Sequence, residues 1–342
     1  MLLVAAPDKF RGTATATEVA AAVGRAAAAA GADCDEAPVA DGGEGTLEAL
    51  GGAVRVTTVR GPLGDPVAAE WRLQPDGTAV VEMARASGLA LVGGPTGNDP
   101  LRATTAGTGE LIAAALDAGA TRVVVGAGGS ATTDGGLAAL TALNPRRRLH
   151  AGVELVVACD VETLFVDAAE VFAPQKGATP AQVALLRRRL ERLAQIYVRD
   201  YGVDVRDLPG SGAAGGLAGG LAAAGAVLIG GFDVVAESLG LAERIAAADL
   251  VVTGEGLLDA ESFDGKAVGG VVELAVAAGV PVLVVAGDVL FDDLPADELP
   301  ADLPASVEVV SLVARFGRDR AMADPCGCVE EVVRTRLLGS SR

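Results

Sequence analysis

Short, wholly apolar runs that stop at a glycine or an aspartate constrain this chain more than any other feature. LLVAAPD (2–8), RVVVGAGG (122–129), ELVVACD (154–160), DLVVTGEG (249–256) and PVLVVAGD (281–288) share the pattern. None alternates apolar with polar residues, so each strand must be covered on both faces. Parallel sheets sandwiched between helices meet that demand. The matching helices are alanine-rich: TATEVAAAVGRAAAAAG (15–31), GTGELIAAALDAGA (107–120) and the region 266–279. TPAQVALLRRRLERLAQIYV (179–198) is amphipathic, with Thr179 placed to cap it and Pro180 at its first turn. Thr13 or Thr15 is placed to cap the first helix, and Gly31 to end it. Residues 54–83 break the alternation. VRVTTVRGPLGDPVAAEWRLQPDGTAVVEM alternates apolar and polar residues around Pro75-Asp76-Gly77, which predicts antiparallel hairpins. That stretch is where the chain is expected to leave a first domain, and 342 residues are too many for one typical core.

With aromatics at 3% of residues, the cores must be aliphatic. A formal charge of −18 repels nucleic acid and anionic membrane. No apolar stretch is long enough to span a bilayer without glycine or charge. The chain opens on a strand-like run rather than a basic segment and apolar core, so a cytoplasmic location is expected. Cys34, Cys159, Cys326 and Cys328 are too scattered for a disulfide framework, and Cys326-Gly-Cys328 lacks a second pair at zinc spacing. The arginine triplets 146–148 and 187–189 read as solvated faces. The segment 289–306, rich in Asp, Leu and Pro, reads as a surface loop.

The polar motifs fall at strand ends, where open α/β sheets bind ligands. PDKFRG supplies Asp8, Lys9 and Arg11. ADGGEGT supplies Asp41 and Glu44. GAGGSATTDGG offers Gly128, Gly129, Ser130 and Asp134. ACDV ends on Asp160, PQKGATP presents Lys176, and GEGLLDAESFDGK brings Glu255, Asp259, Glu261, Asp264 and Lys266. Glycine turns and helix starts bind phosphate through N–H groups, cations neutralise a transferred phosphoryl group, and carboxylates hold Mg²⁺ or accept a hydroxyl proton. No Gly-x4-Gly-Lys-[Ser/Thr] sequence is present, and GTGE (107–110) is a lone Gly-x-Gly without a strand close before it. The only histidine, His150, sits beside an arginine cluster, which argues against His-dependent nucleophilic catalysis. The residues by themselves point to a small-molecule enzyme of kinase type.

Taken in order, APDKFRG, ADGGEGT, GTGELI, GGSATTDGG, ACDV, PQKGATP, GSGAAGG and DLVVTGEG…D…GK resemble the bacterial glycerate kinases of the type I class, from Leu2 to about Ala286. The resemblance implies a Rossmann-like parallel-sheet domain formed by both chain ends (1–60 plus 228–342). A second α/β domain (61–227) would be inserted, with the active site in the cleft between them. It implies phosphorylation of D-glycerate by ATP with Mg²⁺, giving 2-phosphoglycerate in preference to 3-phosphoglycerate. The expected partner is that small molecule, with no nucleic acid or membrane, and a homodimer is a further expectation. Under this reading Asp41, Asp134, Asp160 and Lys176 are the catalytic candidates. Asp8, Lys9, Arg11, Glu44, Gly128, Gly129, Ser130, Glu255, Asp259 and Lys266 bind substrate or phosphate, and Mg²⁺ is held by acids of this set. The base is left open among Asp8, Asp41, Asp134, Asp160 and Asp259.

The chain departs from the family pattern in places. The stretch from Gly136 to Val153 is short, Glu162-Thr163 replaces an Asn-Pro pair, and Ala173 replaces a glycine. Leu257 stands where the family has arginine and Glu261 where it has glutamine, a swing of two charge units. A paralogue that binds a nucleotide or organic acid with lost or altered activity is therefore the alternative. A nicotinamide-dependent oxidoreductase is a third reading, disfavoured by the missing dinucleotide fingerprint.

Overall fold

The computed structural model describes residues 1–149, 152–263, 266–290 and 303–339, with the backbone alone for Ala260 and Glu261. His150, Asp264, Gly265 and most of the expected 289–306 loop lie outside the described residues. In chain order the strands are β1 Leu2–Ala5, β2 Asp33–Glu36, β3 Ala53–Arg60, β4 Pro66–Leu73, β5 Thr78–Glu82, β6 Arg122–Gly126, β7 Glu154–Ala158, β8 Val227–Ile229, β9 Leu250–Thr253, β10 Leu257–Leu258, β11 Val282–Ala286, β12 Asp288–Val289 and β13 Val307–Ser311. The chain forms two compact units, one of residues 1–41 with 232–342 and one of residues 42–231.

The first unit is a parallel sheet in the order β13-β11-β9-β1-β2. β9 and β11 are buried along their whole length, as runs without alternation require. Helix Ala16–Ala29 covers the sheet and packs on helix Pro325–Gly339, so alanines and valines such as Val19, Val23, Val329 and Val333 fill the core. Thr15 caps the first helix by accepting from the Glu18 N–H, and Glu18 returns a bond to the Thr15 N–H. Strand order reverses between β1 and β9, because β2 lies on one side of β1 while β9, β11 and β13 step away on the other.

The second unit is a mixed sheet in the order β3-β4-β5-β6-β7-β8. β3, β4 and β5 are antiparallel neighbours, as the 54–83 pattern predicts, and β5 through β8 run parallel. Helix Pro180–Tyr201 starts at a Thr179 cap completed by Gln182, and it lays Leu186, Leu190, Leu193 and Tyr197 into the core. No helix among the described residues is long and apolar enough to cross a membrane.

Candidate active site

In the first unit, the loops after β1, β9 and β11 enclose a cavity of about 640 Å³ at the strand-order reversal. This is where an open α/β sheet is expected to take its ligand. The loops are fixed by one another. Asp8 N–H donates to Gly254 O at 2.8 Å, Gly287 N–H to Glu255 O at 2.9 Å, and Asp288 N–H to Gly256 O at 3.0 Å. Gly287 is required for that approach, since a Cβ there would stand 2.5 Å from Gly256 O. Asp8, Lys9, Arg11, Asp41, Glu255, Asp259 and Lys266 all line the cavity.

Lys9 Nζ stands 3.5 Å from both Asp8 and Asp41. Asp8 is 7% exposed. Burial pushes its carboxyl up to about 6, against the pull of Lys9 and with the Asp41 charge adding to the rise. Burial works against the Lys9 charge too, but the two aspartates outweigh it and hold the ammonium above its ordinary value. Glu255 is pushed up to about 7, chiefly by burial, with Ser262 and Lys266 opposing and Asp8 and Asp259 adding. Asp259 is drawn into the loop itself: its Oδ1 accepts from Ser262 N–H and Oγ at 3.0 and 3.1 Å. Leu257 is 46% exposed and lines the cavity, while Leu258 is buried beneath it.

Among the described residues no three His, Cys, Asp or Glu side chains are gathered tightly enough to form a metal cage. Mg²⁺ seldom needs one, because it commonly takes one or two carboxylates and completes its shell with water and substrate phosphate. The Glu255 Oε1 atom is buried and finds no hydrogen-bond donor among the described residues. With Asp8 and Asp41 nearby, that orphaned acceptor suits a cation.

The second unit gathers the other candidates at the ends of β5, β6 and β7. Lys176 is only 2% exposed. Its Nζ donates to Ser130 Oγ and to Thr132 O, each at 2.7 Å, and lies 5.9 Å from the Phe172 ring centroid. Burial pushes this ammonium down to about 7, although the charge of Asp134 opposes the fall. Asp134 is committed to the fold. Its oxygens accept from Thr105 N–H and Oγ1 at 2.9 Å and from Gly136 N–H at 3.2 Å, while burial pushes its carboxyl upward. Asp160 accepts from the Gly231 N–H. Glu44 is exposed, on a loop whose Gly43 packs against Gly128; a Cβ on Gly128 would sit 2.7 Å from Gly43 Cα. Gly129 O accepts from Leu89 N–H, and Ser130 is 8% exposed.

The structure therefore brings Asp8, Lys9, Arg11, Asp41, Glu255, Asp259 and Lys266 together in one unit. Glu44, Gly128, Gly129, Ser130, Asp134, Asp160 and Lys176 belong to the other. Three groups escaped the sequence reading. Glu82 is buried and accepts from Gly45 and Leu47 N–H while Arg85 pairs with it, so it sets the ADGGEGT loop. As a lone acid ending an apolar strand, it carried the same signal as Asp160. Asn98 donates its amide to Ala131 O and Lys176 O, and Thr105 grips Asp134. Nothing in the sequence near either marks it, because both act on loops distant along the chain.

Comparison with known proteins identifies the family of the chain. A family model described as the glycerate kinase family matches residues 3–148 and 144–333. The two matches meet at the short stretch between Gly136 and Val153. The glycerate 2-kinase of Escherichia coli strain K12 is 40% identical over 332 residues, spanning 86% of this chain and 87% of the relative. The glycerate kinase of Bacillus subtilis strain 168 is 40% identical over 330 residues, with 85% and 86% covered. The crystal structure of a protein put forward as glycerate kinase 2 of Salmonella typhimurium LT2 superposes with a TM-score of 0.82 at 35% identity, each chain covered in full. The chain belongs to the glycerate kinase family and is, with that family, a kinase.

Proposed function

We propose that this protein transfers the terminal phosphoryl group of ATP to D-glycerate, at the 2-hydroxyl. The observation that carries the reading is the cavity at the strand-order reversal, where Lys9, Arg11 and Lys266 converge with a row of acids in a chain of this family. The name of the Escherichia coli relative favours the 2-position. Lys9, Arg11 and Lys266 neutralise the phosphates of ATP. Glu255, with Asp8, would hold Mg²⁺, which when bound would supply further neutralisation of phosphate charge. Gly128, Gly129, Ser130 and Lys176, in the second unit, are the further candidates for binding phosphate, with Lys176 as a charge-stabilising donor.

We assign the hydroxyl proton to Asp41. A base needs access to the hydroxyl it deprotonates. Asp8 is enclosed, Asp134 is taken up by Thr105 and Gly136, and Asp259 is closed on Ser262. The Asp41 side chain is 31% exposed beside Lys9. An ADP-release assay with D-glycerate and ATP tests the reading. Turnover that Asp41→Asn and Lys176→Met lower strongly is expected, and absence of D-glycerate-dependent ADP release from the native protein refutes it. Leu257 in the cavity wall favours one second reading, a relative with altered activity. In that case Leu257→Arg with Glu261→Gln raises turnover.

A further inference from the structure

We propose that the free edge of β3 is a homodimer contact, at which β3 pairs antiparallel with β3 of a second copy about a two-fold axis at Val56. The sheet of the second unit then runs on through both copies.

β3 is the outermost strand of its sheet, and no strand among the described residues lies beyond it. A strand in that place offers a row of unpaired N–H and C=O groups. Natural sheets guard such a row with short length, charge, proline or a bulge. The other edges of the two large sheets are guarded in this way. β8 is three residues long, β2 reads Asp-Cys-Asp-Glu, and β13 presents Glu308 to solvent. β3 is eight residues long, pairs with β4 without a bulge, and carries neither proline nor lysine nor acid. Its sequence, AVRVTTVR, is mostly β-branched, the composition that suits a paired strand.

The direction of the free row follows from Arg60. Its N–H donates to Glu110 Oε2 at 2.8 Å, away from β4. Alternation along an antiparallel strand sends the N–H and C=O groups of Val54, Val56 and Thr58 the same way. Their side chains share one face of the sheet and are exposed, Val54 at 53% and Val56 at 64%, with the exposed Ala68 of β4 opposite Thr58. The other face is committed to the unit: Val59 lies in the core, and Thr57 Oγ1 accepts from Trp71 Nε1 at 3.0 Å.

Charge selects the occupant. A chain of net charge −18 repels its own copy over most of its surface. Residues 49–64 hold no Asp or Glu and two arginines, Arg55 and Arg60, so a copy can approach here. The strand is also its own complement. Centred on Val56, the pairing sets Val56 against the partner's Val56 and Val54 against the partner's Thr58. Arg55 then faces the partner's Thr57, and no like charges stand directly opposite. Opposed residues of an antiparallel pair point the same way, so the apolar face of one strand continues in the other. Three opposed pairs supply about six main-chain hydrogen bonds. Glu110 ends the ladder by holding the Arg60 N–H. One β3 per copy closes the assembly at two chains.

The test is sedimentation velocity of the full chain over a concentration series. The expected result is a native dimer with a dissociation constant of about 1 μM or tighter. Val56→Lys sets two ammonium groups face to face, and Val56→Pro removes an edge N–H that β4 does not use. Each should raise the dissociation constant about a hundredfold or more, with the circular dichroism spectrum of the native fold retained. Val56→Cys reads the register and disturbs the strand least. Hydrogen-bonded residues in opposition have Cα atoms about 5.5 Å apart, within disulfide reach, so mild oxidation should link two chains. Val54→Cys should not link them, because the two copies of that position lie roughly 13 Å apart along the ladder. The native chain, with its own four cysteines, is the control. A native chain that stays monomeric at about 100 μM overturns the proposal. So does a dimer that Val56→Lys and Val56→Pro both leave intact, or linkage through Val54→Cys in place of Val56→Cys.

Discussion

The two units treat their ionisable groups in opposite ways. In the first, carboxylates crowd an open cavity and are pushed up, Asp8 to about 6 and Glu255 to about 7. In the second, one lysine is sealed among carbonyl, hydroxyl and ring and is pushed down to about 7. The first arrangement is short of positive charge and can gain it from a ligand with its cation. The second already has every donor of its key carboxylate, Asp134, placed by the chain itself. One unit is built to receive, the other to hold a loop still.

The largest expected effects test that division. Asp41→Asn should lower kcat by about a thousandfold, within the range for losing a general base. Lys176→Met should lower kcat by about a hundredfold, the scale of losing one preorganised charge-stabilising donor. Their stability readouts should differ from this order. Lys176→Met removes a buried ammonium and replaces it with a side chain of similar length, so its thermal midpoint should stay near the native value or rise. Full activity in either variant breaks the comparison at its functional root. A large loss of midpoint in Lys176→Met would mean that its bonds to Ser130 and Thr132 hold the unit together rather than tune it.

Much of this was legible in the sequence, and the reason is local. The apolar runs ending in Gly or Asp announced β1, β6, β7, β9 and β11, because a strand covered on both faces has no other composition available. Thr179 announced its helix because a cap is read within four residues, while the first helix's cap was narrowed to Thr13 or Thr15 and is Thr15. The loops that carry Asp8, Asp160 and Glu255 were found because ligands gather at strand ends. Asn98 and Thr105 were not, since each acts across a fold-dependent distance, Thr105 on a residue 29 positions away. The exposure of Leu257 was missed for a different reason. In sequence it read only as a departure from the family's arginine, and the pairing of β10 with β12 is what leaves one leucine of the Leu257-Leu258 pair facing solvent.

A middle-sized effect sharpens the contrast through pH. Asp8 and Glu255 have folded values above their ordinary 3.8 and 4.5, so the folded state binds their protons more tightly. Stability they contribute is present in acid and is lost as pH rises, between about 4 and 6 for Asp8 and between about 4.5 and 7 for Glu255. Lys176 has a folded value near 7, below its ordinary 10.5. The unfolded chain therefore takes up that proton first, and stability is lost as pH falls from about 10.5 to 7. At about 1.4 kcal/mol per unit, each window is worth a few kcal/mol. Urea unfolding of the ligand-free protein in chelator should show the first unit weakening from pH 4.5 to 7 and the second strengthening from pH 7 to 10. Glu255→Gln should flatten the acid window and Lys176→Met the alkaline one. Windows of the same sign would end the contrast.

The smallest effect marks where the contrast should vanish. Thr15 and Thr179 each cap a helix with the full reciprocal box, Thr15 with Glu18 and Thr179 with Gln182. Both sit on exposed helix starts. Thr15→Ala and Thr179→Ala should each cost about 1 kcal/mol in their own unit and leave kcat unchanged. The Glu18 partner is charged and the Gln182 partner is not, so salt should shrink the Thr15 cost slightly more. If one cap instead costs several times the other, or if either lowers kcat, the helices are coupled to the loops they precede. The difference between the units would then lie in how their helices are anchored, not in how their charges are housed.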